Sequence, residues 1–100
     1  MSDSDALVLL SGGTAIRVGG REVAVTRTQY RLLAALAAEP GRALSRAELV
    51  ERGIGELVSE RTVDVHVKDL RRNLGPDRWR IETVRGPGCR WVEREGTAAQ

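Results

Sequence analysis

The chain has no phenylalanine, only two tryptophans and one tyrosine, so its core must be filled by Leu, Val, Ile and Ala rather than by aromatic rings. A single cysteine, Cys89, excludes an intramolecular disulfide and suits a reducing compartment. A single histidine, His66, leaves neither a His/Cys cluster for a metal nor a paired base for a thiol nucleophile. No apolar run approaches the roughly 18 residues of a membrane span and no signal-peptide pattern occurs, so a soluble cytoplasmic protein without membrane contact is expected. A phosphate-binding glycine loop is also lacking, because Gly12-Gly13 and Gly19-Gly20 read as hairpin turns. The expectation is a protein that is not an enzyme and needs neither cofactor nor metal. Lysine is nearly missing too: fifteen arginines stand against one lysine, which favours planar, two-point contacts with phosphate or guanine. Genomic base composition produces the same ratio.

What remains is ordinary in amount and uneven in placement. One hundred residues, 41% hydrophobic and 30% charged, suffice for one core without staples. A single domain over 1–100 is expected, ordered over about 7–94, with small polar ends that fray. The net charge is only +2, yet residues 61–94 hold nine Lys+Arg against five Asp+Glu, whereas residues 1–60 hold seven against eight. The basic excess is confined to the C-terminal third, the footprint expected of phosphate binding.

The N-terminal part reads as β-structure: Leu7–Leu10, then Ala15–Val18 and Arg21–Val25 about the two-residue turn Gly19-Gly20. That turn sets Ile16 opposite Val23 and Arg17 opposite Glu22. Three helices follow. Thr26 with Gln29 and Ser45 with Glu48 are capping boxes, in which a side-chain oxygen and the residue three places on satisfy orphan backbone donors. Helix one is expected to bury Tyr30, Leu33, Leu36 and Ala37 and to end near Pro40-Gly41. Helix two is short, about Arg46–Arg52, and five to seven residues join it to helix three.

Helix three runs over 60–74, with Ser59 as its N-cap and Gly75-Pro76 as its stop. At about 100° per residue, Val63, Val67, Leu70 and Leu74 form one buried stripe. Arg61, Val65, Lys68, Asp69 and Arg72 lie opposite, with Thr62 at the edge, while His66 borders the stripe and Asp64 is expected to pair with Lys68 or an Arg of the following hairpin. That hairpin, 80–93, turns at Pro87-Gly88, read as a type II turn with positive φ at Gly88, and carries Arg85 just before the turn. An amphipathic helix fit for a groove, followed at once by a basic hairpin, is a device for reading DNA.

R-T-V-D-V-H-V-K-D-L-R-R-N-L-G and the later T-V-R-G-P-G resemble the winged-helix DNA-binding effector domain of OmpR/PhoB-type response regulators, over roughly residues 7–94. The resemblance implies an α+β fold: a winged helix-turn-helix with an N-terminal antiparallel β-sheet, three helices and a C-terminal β-hairpin wing. It implies a bacterial transcriptional regulator that binds double-stranded DNA, with helix three in the major groove and Arg85 of the wing in the adjacent minor groove. It further implies a chain that is monomeric alone, pairs on tandem repeats, and touches RNA polymerase through the loop before helix three. On this scheme Arg61, Thr62, Lys68, Arg71 and Arg72 hold phosphates, while Val65 and Asp69 face bases. Members usually carry a receiver domain ahead of the effector, for which 100 residues leave no room. An excised domain or a regulator with another sensor is expected.

The chain departs from the family pattern at four places. Cys89 replaces the aromatic after the wing glycine, Asn73 replaces a basic residue, and Asp69 stands where a basic residue often contacts bases. The loop about Gly53–Val58 lacks the usual aromatic-Gly pair. Asp69 and the low net charge also keep open a second class, a winged helix that docks a protein instead of DNA.

Overall fold

The computed structural model describes residues 7–54, 59–84 and 88–93. β1 (Val8–Leu9), β2 (Ala15–Val18) and β3 (Arg21–Ala24) form an antiparallel sheet in the order β1-β2-β3. Gly19 and Gly20 have φ of 59° and 79°, the pair of positive values that a two-residue hairpin turn of type I′ demands. The turn sets the expected register, Ile16 opposite Val23 and Arg17 opposite Glu22. Ile16, Val18 and Val23 point into the core.

α1 (Arg27–Ala37) opens on the expected capping box, since Gln29 N donates to Thr26 Oγ1 and Thr26 N donates to Gln29 Oε1. It buries Leu32, Leu33, Ala35 and Leu36. Tyr30 and Ala37, expected inside, are only partly buried, and Tyr30 donates its hydroxyl to the Leu10 carbonyl at 2.7 Å. Leu32, not assigned to the core from sequence, is fully covered. α2 (Arg46–Leu49) starts on the second capping box, Ser45 with Glu48, and its last residues widen into a π-helical turn over Val50–Ile54.

α3 (Val63–Leu74) buries Val63, Val67, Leu70 and Leu74, the expected stripe. Its start differs from expectation. Ser59 makes no side-chain cap bond, and a 3-10 turn over Glu60–Thr62 leads into the helix, with Thr62 Oγ1 donating to the Ser59 carbonyl. Gly75, with φ 59°, ends α3, and a second 3-10 turn (Gly75–Arg80) follows.

The second sheet has the order β4-β6-β5, built from β4 (Leu44–Ser45), β5 (Ile81–Val84) and β6 (Gly88–Trp91). β5 and β6 are the expected wing hairpin, pairing Ile81 with Trp91 and Val84 with Gly88. The proposed type II turn is corrected: Gly88 belongs to β6 and its φ is not positive. Glycine is needed there for another reason. β4, unforeseen from its two residues, crosses so close that a Cβ on Gly88 lies 2.8 Å from the Leu44 carbonyl oxygen. Gly88→Ala is therefore expected to cost about 1–3 kcal/mol, because backbone rather than a flexible side chain must give way. Denaturant unfolding with an unchanged midpoint counts against that close approach.

The 3-10 turn after α3 is locked by an ion network. Arg80 is 3% exposed, with its guanidinium 4.5 Å from the centroid of the Trp79 ring and 5.9 Å from that of Trp91. Arg80 Nε donates to Asp77 Oδ1 at 3.2 Å and Nη1 donates to the Glu93 carbonyl at 3.0 Å. From β3, Arg21 Nη2 donates both to Asp77 Oδ2 at 2.8 Å and to the Leu74 carbonyl at 2.9 Å, so the last turn of α3 is capped by the N-terminal sheet. Burial works to raise the Asp77 carboxyl, but the hydrogen bonds from Arg21 and Arg80, with their charges, outweigh it and hold the group below the usual value.

Candidate nucleic-acid interface

With its apolar stripe turned into the core, α3 presents the opposite face outward. Arg61 and Thr62 in the 3-10 turn, and Val65, Lys68 and Arg72 on the helix, are exposed. Val65 is 56% exposed, a bare apolar side chain between charged neighbours. Asp69 sits one turn beyond it and approaches Arg72 Nη1 only to 3.9 Å, both side chains being well solvated. Such an i,i+3 pair contributes at most a few tenths of a kcal/mol, so the carboxylate is not held in place.

The geometry brings in residues that sequence reading did not. Asp64 was expected to pair with Lys68 or a wing arginine, but Arg46 at the start of α2 takes it in a two-point ion pair, Nε to Oδ1 and Nη2 to Oδ2. That hydrogen bond lowers the pKa of Asp64. It also cross-braces the two helices of the helix-turn-helix at their exposed edge. Arg71, expected among the phosphate contacts, turns toward the wing. Its Nε and Nη2 donate to the Ile81 carbonyl at 3.0 and 2.7 Å, and Nη2 also donates to Thr83 Oγ1 at 2.6 Å. Asn73 donates to the buried Gln29 side chain at 2.8 Å and ties the end of α3 to the start of α1.

Arg85, with the tip of the wing, lies outside the described residues, as does the middle of the connection between α2 and α3. Cys89 is buried opposite Leu44, and that burial pushes its thiol pKa up, away from the reactive thiolate. A cavity of about 40 Å³ lies among Val63, Val67, Thr83, Gly88 and Cys89, beneath the wing where a bulkier residue after the glycine would pack. His66 is half-buried at the margin of the stripe. The assembled surface therefore joins an exposed helix face rich in cations, an unpaired apolar side chain and an adjoining two-stranded ribbon. It sets cationic donors and an apolar contact side by side, the two chemistries that phosphates and base edges call for.

Residues 20–91 match the family described as transcriptional regulatory protein, C terminal. The chain is 47% identical over 78 residues to the transcriptional regulatory protein CseB of Streptomyces coelicolor, covering 76% of this chain and 32% of that protein. The chain thus spans about a third of the length of the curated relatives it matches. Among solved structures, it is similar to the DNA-binding domain of CpxR from E. coli (TM-score 0.69, 33% identity, 91% of this chain and 94% of that one). It is also similar to the Klebsiella pneumoniae RstA DNA-binding domain in complex with the RstA box (TM-score 0.72, 25% identity, 89% of this chain and 93% of that one). Both the matched motifs and the observed fold lead to the same conclusion: the chain belongs to the OmpR/PhoB-type family of transcriptional regulatory C-terminal domains.

Proposed function

We propose that this domain binds double-stranded DNA in a sequence-specific way and regulates transcription. The single observation that carries the reading is the outward face of α3, where exposed Arg61, Lys68 and Arg72 surround the bare Val65 beside a two-stranded wing. In this reading α3 enters the major groove and the wing lies along the neighbouring minor groove with Arg85 reaching into it. Arg61, Thr62, Lys68 and Arg72 hold phosphates, and Val65 and Asp69 meet base edges. Arg71, with its guanidinium given to the wing, is removed from the phosphate set. The family resemblance supports two copies on tandem repeats and a polymerase contact from the loop before α3, with the protein working beside the chromosome in the cytoplasm. Among the described residues no helix is long and apolar enough to cross a membrane.

Selection of bound sequences from random duplex DNA, followed by a salt titration on the winner, tests the proposal. Enrichment of one motif together with a steep fall of log K against log salt is the expected result. No enrichment and a flat salt response favour a protein-docking module instead. In the same titration, Arg72→Ala is expected to weaken all sequences alike and to flatten the slope by about one unit, as loss of one phosphate contact does. A changed base preference in that variant means that Arg72 reads sequence.

A further inference from the structure

Resting on the reading above, we propose that Arg71 is a positioning residue that fixes the angle between the wing and α3, rather than a phosphate contact. The two nitrogens of its side-on edge, Nε and Nη2, are both given to the Ile81 carbonyl at 3.0 and 2.7 Å. That is one of the two edges with which an arginine grips a phosphate at two points, and the other shares Nη2 with it. Nη2 reaches Thr83 Oγ1 as well, at 2.6 Å. Ile81 is buried and paired with the fully buried Trp91, so the first anchor is the root of the wing. Thr83 is two residues nearer the tip, hence on the same side of the strand. A rigid guanidinium touching β5 at both points fixes the strand's rotation about its own axis as well as its distance from α3. Arg72, the next residue, has no such engagement: its side chain is 73% exposed and meets Asp69 only at 3.9 Å. Adjacent arginines on one helix thus divide the work, Arg72 facing the ligand and Arg71 holding the frame. Helix and wing read neighbouring grooves only if their separation is held to within about half an ångström, the tolerance of a preorganised site.

The test uses the full chain on its selected duplex. Arg71→Lys keeps the charge but replaces the rigid two-nitrogen fork with a single ammonium nitrogen on a flexible stem. It is expected to leave the salt slope unchanged while lowering affinity about tenfold, the size of one good groove contact. Hydroxyl-radical protection should be lost on the wing-side flank and retained over the half-site covered by α3. Thr83→Val, nearly the same shape without the acceptor, should act in the same direction and more weakly, and the double variant should be little worse than Arg71→Lys alone. If Arg71→Lys does not fold, flank protection in Thr83→Val decides the matter. Intact flank protection in Arg71→Lys, with an Arg71→Gln slope lower by about one unit, makes Arg71 a phosphate contact and overturns the inference alone. A parent chain that binds no duplex overturns the proposed function as well, before any variant is made.

Discussion

Asp77→Asn is expected to destabilise the domain by about 3 kcal/mol and to lower Tm by roughly 15 °C. Asp77 is the hub between Arg21 of β3 and the buried Arg80, and it is the carboxylate that balances Arg80. Removing its charge leaves Arg80 facing two tryptophan rings and the Glu93 carbonyl, with no other carboxylate paired to it among the described residues. The effect depends on pH with a definite sign. Because the folded-state pKa of Asp77 is depressed, its contribution is full above the unfolded value near 4 and fades as pH falls through the folded one. The gap between parent and variant should therefore be widest at neutral pH and close progressively in acid. Melts of both proteins across that range check it, and a gap independent of pH assigns the loss to shape rather than charge.

Asp69→Arg should have the largest effect on recognition. A carboxylate in the major groove repels the N7 and O6 acceptors of guanine and can accept from the amino group of cytosine, a discrimination of about 1–3 kcal/mol. The loose 3.9 Å approach to Arg72 leaves Asp69 free to make that choice. The arginine variant is expected to bind all duplexes more tightly and to shift the preference at one position from cytosine to guanine. Asp69→Asn should relax the same position toward adenine. Repeating the random-duplex selection with each variant reads this directly. Motifs identical to the parent's at every position reduce Asp69 to a solvated charge.

What the sequence made legible was governed by short-range rules. The two capping boxes act over three residues, the Gly19-Gly20 turn fixes its own register, and the Val63, Val67, Leu70, Leu74 stripe follows from the pitch of a helix. The wing signal was half-right. Pro87-Gly88 promised a turn with positive φ, but the reason for Gly88 is a strand from the other half of the chain. The outward face of α3 was readable because it is the complement of the stripe. The use of particular cations on it was not. Arg71 and Arg72 are indistinguishable neighbours until β5 is seen to pass one of them, and Arg46 meets Asp64 across 18 residues. Arg80 looks like any surface arginine in sequence, and only the convergence of Trp79, Trp91 and Asp77 makes its burial tolerable. Ion-pair choice is a property of the assembled fold.

Leu44 and Cys89 face each other across β4 and β6 with nearly half the chain between them. Closing so long a loop costs entropy that no local contact returns, so this pairing belongs late in folding. Ser45, the second residue of β4, is also the cap that starts α2. The first helix of the DNA-reading pair is thus sewn to a strand that the ribosome makes among the last residues of the wing. While the chain is being synthesised, the β1-β2-β3 hairpins can form at once, whereas β4, at the start of α2, gains its pairing partner only when Gly88–Trp91 has been made.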